Sequence, residues 1–136
     1  LFKRCTHISI HCNLTDETRH LVDSERISMM PGKDPNNLAC GNHIVNCARG
    51  GIVDETAALQ ALEDGHLSSL ALDVFENEPV DASSPLLQHP HFHGTPHIGA
   101  ATIEAQRRVG LDIADAVLVA LSGTLPETTV NRSSLS

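Results

Sequence analysis

Apolar and polar residues alternate near the start of the chain, between positions 5 and 12. Ile8, Ile10 and Cys12 fall on one side of this segment, with polar residues between them. An alternation with a period of two predicts a strand that has one buried face. Three later apolar runs predict further strands at residues 43–47, 69–74 and 92–95.

A helix is predicted after Asp54, because aspartate caps helix N-termini well. Ala58, Leu59 and Leu62 follow at helical spacing and form its apolar stripe. The helix should end near position 64, since Gly65 favours the left-handed backbone that closes helices.

The longest helix is predicted between a capping Thr102 and about position 122, just before Gly123. Its apolar residues recur at steps of three or four, at Val109, Ile113, Ala116, Val117 and Ala120. Ser24 is expected to cap a shorter helix that Pro31 and Gly32 interrupt. Residues 33–42 and 78–90 are polar or rich in proline, so we predict loops there.

Strands therefore alternate with helices along the chain, an order that predicts parallel strands joined by crossover helices in an α/β fold. Ligands bind such sheets beyond the carboxyl ends of the strands. Arg49, Asp73 and His97 each follow a predicted strand. We expect these three residues at one edge of the sheet.

Length and composition narrow the class of protein. The 136 residues suffice for one domain with its own core. The net charge of -8 and an aromatic content of 2% argue against a nucleic-acid partner. No apolar run reaches the roughly 18 residues of a membrane helix, so we expect no membrane partner and a cytoplasmic location. Leu1 stands where an initiator methionine would, and we expect the chain to be truncated at its start.

The cysteines Cys5, Cys12, Cys40 and Cys47 form no C-x-x-C pair. Cys12 and Cys47 end apolar runs, where a small side chain packs well. We interpret all four as reduced thiols rather than as a disulfide or metal site.

Arg49 is the first candidate for chemistry, because its planar guanidinium matches a carboxylate. Gly50 and Gly51 follow it and would let the backbone approach a ligand closely. The alternative is a surface arginine that pairs with Asp54 or Glu55.

His97 is the second candidate, because an imidazole exchanges protons near neutral pH. Glu78 could hydrogen-bond that imidazole and favour its charged form. The alternatives are a structural histidine and a solvated loop carboxylate.

Three motifs carry a family resemblance: NCARGGIVDE at 46–55, ALDVFENEP at 71–79 and TPHIGA at 95–100. In this order they resemble the signatures of the D-isomer-specific 2-hydroxyacid dehydrogenases. HCNLTDETR at 11–19 and the last helix extend the likeness over nearly the whole chain. The first motif is typical of the family's phosphoglycerate dehydrogenase branch.

The resemblance implies an NAD-dependent oxidoreductase that transfers hydride between the nicotinamide and a D-2-hydroxy or 2-keto acid; NADP stays open as the cofactor. Arg49 would bind the substrate carboxylate, His97 would be the acid/base, and Glu78 would tune it. Asp73 would accept a hydrogen bond from the nicotinamide carboxamide. The remaining predicted cofactor contacts are Cys12 and Asn13 on the adenosine side and Cys47, Ala48, Arg49, His97, Gly99 and Ala100 at the nicotinamide end. Family membership also implies a homodimer or higher oligomer.

The chain departs from the family pattern in two places. Residues 33–42 add about nine residues before the second strand, at the amino edge of the sheet and thus away from the site. No G-x-G-x-x-G phosphate loop occurs in the 136 residues. The resemblance therefore implies a partial Rossmann-like, doubly wound sheet without its first βαβ unit. The isolated chain is expected to be incomplete and inactive as an enzyme, and an inactive fragment stays an alternative. Residues 1–122 would be the C-terminal half of a dinucleotide-binding domain, and residues 123–136 a tail.

Two other functions compete with this interpretation. His89, His91, His93 and His97 lie within nine positions and could bind a metal ion. Pro90 and Pro96 interrupt that segment, so loop histidines without a metal are the prediction. Transcriptional corepressors built on the same dehydrogenase fold keep the Arg, Glu and His and bind protein motifs, which makes a protein-binding module the second alternative.

Overall fold

The computed structural model describes residues 1–135. The described chain divides into two compact units, Leu1–Ile98 and a second that begins at Gly99. Its strands are β1 (His7–Ile10), β2 (His43–Asn46), β3 (Ser69–Leu72) and β4 (Phe92–Gly94). Its α-helices are α1 (Ser24–Ser28), α2 (Glu55–Glu63), α3 (Pro85–Gln88) and α4 (Ile103–Leu121), followed by a 3₁₀ turn at Arg132–Ser134.

The first unit contains a four-stranded sheet in the order β1-β2-β3-β4, with every neighbouring pair parallel. His7 lies opposite His43, and His43 lies opposite Ser69, so the strands start in register. The predicted α/β class with parallel strands is confirmed. All four carboxyl ends therefore meet at one edge.

The core lies on one face of this sheet. Ile8, Ile10, Ile44, Leu70 and Leu72 alternate along the strands and are all buried. Burying each such side chain contributes roughly 1.5–3 kcal/mol. They pack with buried residues of the helices and loops, including Val22, Ile27, Ile52, Val53, Ala58, Leu62 and Leu67.

Helix α2 forms as predicted. The Asp54 side chain accepts a hydrogen bond from the Ala57 N–H at 2.9 Å, and Gly65 follows the end with φ +71°. Ala58 and Leu62 are buried, whereas Leu59 is only partly buried. Ala61 completes the buried stripe in its place.

The predicted capping residue of α1 is wrong. Asp23, not Ser24, is the cap: its Oδ1 accepts the Arg26 N–H at 2.8 Å. Its Oδ2 also pairs with Arg26 Nη1 at 2.7 Å. The Asp23 carboxylate binds both the backbone N–H and the guanidinium of Arg26, so Ser24 becomes the first helical residue.

The predicted loop at 78–90 contains one unpredicted turn of helix, α3. Pro85 occupies its first turn, where the missing N–H costs nothing. Four residues are too few to show a helical period. Residues 33–42 are a loop that enters β2 at the amino edge of the sheet, as predicted.

The second unit contains α4. The Thr102 hydroxyl accepts the Ala105 N–H at 3.1 Å, and Gly123 follows the helix with φ +82°, which confirms both predicted ends. Along 1–135, none of the helices combines the length and the apolarity that a bilayer crossing requires.

Candidate active site

The carboxyl edge of the sheet collects the predicted site residues of the first unit. Cys12 and Asn13 follow β1, and Cys47, Ala48 and Arg49 follow β2. Asp73 follows β3 directly, and His97 comes three residues after β4. Parallel strands thus place residues from four separate chain segments along one edge.

His97 and Glu78 form the central contact of this edge. His97 Nδ1 lies 2.7 Å from Glu78 Oε2, and the Phe75 N–H donates to Glu78 Oε1 at 2.9 Å. The hydrogen bond with His97 lowers the pKa of the Glu78 carboxyl, and the Phe75 N–H lowers that pKa further. The carboxylate therefore stays charged and orients the imidazole through Nδ1. Within residues 1–135, Nε2 of His97 has no hydrogen-bond partner, so it can serve a ligand.

The backbone around His97 is held by a buried carboxylate. His97 has a left-handed φ of +53°, which is unfavourable for a residue with a Cβ. On either side of it, the Thr95 hydroxyl and the Ile98 N–H donate to Asp73 Oδ1, at 2.5 Å and 2.9 Å. Asp73 is only 4% exposed. It therefore fixes the segment that carries His97, a role that the sequence did not indicate.

Thr95, which donates to Asp73, was not among the site residues predicted from the sequence. A threonine directly before Pro96 and His97 was the only available signal, and it does not reveal a partner 22 positions away.

Arg49 is exposed, and its Nη1 donates to the carbonyl of Ala48 at 2.5 Å. The alternative of a pair with Asp54 or Glu55 is not found: Asp54 caps α2, and Glu55 accepts the Glu76 N–H. Across the part of the chain that the structure describes, Arg49 makes no ion pair. Its guanidinium is thus available to a carboxylate.

Asn46 shapes the turn that carries Arg49, and it too was missed. Its Oδ1 accepts the Ala48 N–H at 3.0 Å, and its Nδ2 donates to the Arg49 carbonyl at 2.9 Å. The signal was a polar residue on the buried face of a strand, where it needs hydrogen-bond partners.

Gly50 is required for a different reason from the predicted one. A Cβ atom at this position would overlap the carbonyl oxygen of Phe75. The close approach is therefore to the chain's own backbone rather than to a ligand. It brings the Arg49 loop against the loop that carries Glu78.

The predicted cofactor residues differ in exposure. Cys47 and Asn13 are exposed, whereas Cys12 and Ala48 are partly buried. The four cysteines are free thiols. Gly99 and Ala100 lie in the second unit, before the cap of α4, and are exposed.

A cleft of about 430 Å³ adjoins the Glu78–His97 pair. Apart from the pair, its walls are apolar and consist of Phe75, Pro79, Val80 and Pro96. It can hold the carbon skeleton of a small ligand beside the imidazole.

The histidine segment gives no support to the metal alternative. The His91 N–H donates to Nδ1 of His89 at 3.2 Å, so this imidazole bonds to its own loop. Between residues 1 and 135, no three histidine, cysteine, aspartate or glutamate side chains are grouped as metal ligands.

A parallel α/β sheet with an Arg, a Glu–His pair and a cleft at its carboxyl edge is typical of the class of ligand-binding α/β domains. Residues 1–99 match the family described as D-isomer specific 2-hydroxyacid dehydrogenase, NAD binding domain. The chain belongs to this family, and its first unit has the Rossmann-like fold of the family's NAD-binding domains.

Individual relatives agree with this assignment. The chain is 42% identical over 135 residues to D-3-phosphoglycerate dehydrogenase of Methanocaldococcus jannaschii, covering 99% of this chain and 24% of the relative. It is 34% identical to a glyoxylate reductase structure from Paecilomyes thermophila, with a TM-score of 0.79, covering 97% of this chain and 39% of that one. A glyoxylate/hydroxypyruvate reductase from Sinorhizobium meliloti, solved with NADP and sulfate, matches at 25% identity and a TM-score of 0.81, covering 97% of this chain and 40% of that one. The chain thus spans about a quarter of that curated relative and two fifths of these structures.

Proposed function

We propose that the protein carrying this chain is an NAD(P)-dependent oxidoreductase that interconverts a D-2-hydroxy acid and the corresponding 2-keto acid. The observation that carries the proposal is the 2.7 Å contact between Glu78 and His97 at the carboxyl edge of an NAD-binding domain. A carboxylate that supports an imidazolium is what a general acid for carbonyl reduction needs.

His97 is the proposed acid/base. Its Nε2 gives a proton to the substrate carbonyl oxygen during reduction and takes the hydroxyl proton during oxidation. Glu78 holds Nδ1 and leaves Nε2 for the substrate. The left-handed backbone at His97 and the Asp73 contacts on both sides keep the imidazole in one orientation.

Arg49 is the proposed carboxylate receptor. Its exposed guanidinium has no acidic partner among residues 1–135, and a planar fork binds a carboxylate in two places. The apolar cleft beside His97 suits the carbon skeleton of the acid.

The residues present fit the nicotinamide end of the cofactor. Cys12 and Asn13 follow β1, and Cys47 follows β2, at the edge where the cofactor would lie. The N–H and the carbonyl of Ala48 are already bonded to Asn46 and Arg49. Asp73 supplies a carboxylate next to His97. When bound, the cofactor supplies or accepts the hydride. The roles of Gly99 and Ala100 stay predictions from the sequence, and the sequence offers no G-x-G-x-x-G for the pyrophosphate.

Finer parts of the proposal rest on the relatives. The 42% identity to a D-3-phosphoglycerate dehydrogenase favours 3-phosphoglycerate as the hydroxy acid. The complex of a relative with NADP keeps both cofactors open. We also propose that residues 1–122 serve as the C-terminal half of the cofactor domain, with 123–136 as a tail. A cytoplasmic location and a homodimer or higher oligomer stay predictions from the sequence.

The test is turnover of a panel of 2-keto acids with NADH and NADPH by the protein that carries the chain. Arg49→Lys should raise KM about tenfold or more, because the bidentate contact is lost. His97→Ala should lower kcat about 100-fold or more with a smaller change in KM.

Two exposed residues provide controls. Arg4→Lys before β1 and His93→Ala on β4 should leave both constants within about twofold, since surface changes away from a site have small effects. No turnover of any acid would reject the enzyme and leave the protein-binding module. Equal, small effects of Arg49→Lys and His97→Ala would reject the assigned roles.

A further inference from the structure

Glu55 and Glu76 form a reciprocal pair outside the proposed catalytic and cofactor-binding residues. The backbone N–H of Glu76 donates to Glu55 Oε1 at 2.6 Å. In return, the backbone N–H of Glu55 donates to Glu76 Oε1 at 3.1 Å. The pair thus joins the first turn of α2 to the loop after β3, two segments 21 positions apart.

The negative charge of Glu76 acts against the ionised form of Glu55, so the pair needs compensation. Burial raises the pKa of the Glu55 carboxyl, and the charges of Glu76, Asp54 and Glu78 raise it further, against the opposing hydrogen bond from the Glu76 N–H. The two hydrogen bonds between Glu55 and Glu76 therefore form despite this unfavourable electrostatic interaction.

His20 supplies part of that compensation. Its Nε2 lies 3.2 Å from Glu76 Oε1, and its Nδ1 lies 3.9 Å from Asp54 Oδ2. Its backbone N–H donates to the carbonyl of Gly51 at 2.8 Å, and its φ of +50° is left-handed. His20 therefore connects the Arg49 loop to the same carboxylates.

Glu76 and His20 each contact or adjoin a loop that carries a site residue. Glu76 follows Phe75, whose N–H donates to Glu78 and whose carbonyl lies against Gly50. Gly51, the partner of His20, lies two residues after Arg49. A movement of Glu76 must therefore shift the support of Glu78, and with it the loop of Arg49.

We propose that Glu55, Glu76 and His20 are positioning residues that hold the Arg49 loop and the Glu78 loop in the spacing required for catalysis. This inference rests on the proposed function, since Arg49 and Glu78 have their roles there. None of the three residues needs to touch the substrate. They act through the backbone of the two loops.

The first test needs no enzymatic activity. The titration of the Glu78 side-chain carboxyl is followed by ¹³C NMR in the protein that carries the chain. Glu55→Ala and Glu76→Ala should raise the pKa of Glu78 toward its ordinary value, because Glu78 loses its fixed contacts with His97 and Phe75. Glu55→Gln and Glu76→Gln keep an acceptor oxygen and should leave the titration near that of the wild type.

The matched control is Glu63→Ala, which removes an exposed carboxylate from the last residue of the same helix. It should not move the Glu78 titration. Asparagine tolerates the left-handed backbone at position 20, so His20→Asn is the milder variant if an alanine substitution prevents folding. It too should raise the pKa of Glu78. An unchanged Glu78 titration in His20→Asn and in each alanine variant that folds would overturn the proposal.

The second test measures kcat/KM for a 2-keto acid. The two alanine variants should lose about 10- to 100-fold, as expected for misplaced catalytic groups, and the glutamine variants should recover to within about threefold. If the wild type turns over a 2-keto acid and the alanine variants keep its kcat/KM, the positioning roles are rejected and the proposed function stands. Absence of wild-type turnover would reject the proposed function, and the NMR titration would still decide the inference.

Discussion

A buried asparagine lies at each end of strand β2. Asn42 precedes the amino end and is 2% exposed, and Asn46 forms the carboxyl end and is 1% exposed. Asn42 Oδ1 accepts the Gly32 N–H at 2.8 Å, and its Nδ2 donates to the carbonyls of Met30 and His66 at 3.4 Å and 2.9 Å. Asn42 thus joins chain segments up to 24 positions away.

Asn46 has a shorter reach. Both of its hydrogen bonds go to Ala48 and Arg49, within three positions. Each end also contains a glycine without room for a side chain: Gly41 is blocked by Ser68, and Gly50 by Phe75. The two asparagines therefore differ: Asn42 joins distant segments at the amino edge, whereas Asn46 shapes the local turn at the site edge.

Gly50→Ala should have the largest effect, because the added Cβ overlaps a backbone carbonyl that cannot move aside cheaply. We expect a loss of about 3 kcal/mol in the free energy of unfolding, measured by urea denaturation. Gly110→Ala on α4 is the control: nothing lies within 4 Å of the added Cβ, and a gain below about 1 kcal/mol is expected. Equal effects of the two substitutions would contradict the tight contact between the loops.

Asn42→Ala should come next and should affect stability alone. It leaves the Gly32 N–H and the His66 carbonyl without their partner, at about 2 kcal/mol. Exposed Asn77→Ala should cost less than about 0.5 kcal/mol in the same urea titration. In the folded protein, KM for the keto acid should not change; a raised KM would show that the amino edge also shapes the site.

Asn46→Ala should cost less stability, about 1 kcal/mol, because its bonds are local. It should nevertheless raise KM severalfold, since the turn that carries Arg49 loses its hydrogen bonds. Steady-state kinetics beside the urea titration would separate the two effects. An unchanged KM would remove the distinction between the two asparagines.

Replacing residues 34–38 with Asn-Gly should have the smallest effect. Lys33 and Ala39 already form an antiparallel bridge, so a two-residue turn can join them. Loop closure depends weakly on length, and we expect a change below about 1 kcal/mol with no change in KM. A large loss of activity would mean that the insertion reaches the site edge.

The sequence predicted much of the fold because its patterns are local. The alternation around Ile8 and Ile10 marked a strand, and Asp54 and Gly65 marked both ends of α2. α3 was missed because one turn carries no period, and the cap of α1 was misplaced by one residue because Asp23 and Ser24 are both good caps.

The candidate site also has a part that the sequence predicted and a part that it did not. The positions of Arg49, Glu78 and His97 after strands could be predicted, since parallel strands bring their carboxyl ends together. Their supports could not: Asp73 with Thr95, and Glu55 with Glu76, are contacts across more than 20 positions.

By itself, the sequence determined the element order, the parallel sheet and the residue types at its carboxyl edge, because short-range periodicity and capping encode them. Tertiary structure alone decided which groups meet: Gly50 lies against Phe75, Glu78 contacts His97, and Arg49 has no acidic partner among residues 1–135. The physical reason is that a hydrogen bond between distant segments depends on the packing of everything between them, which no local pattern records.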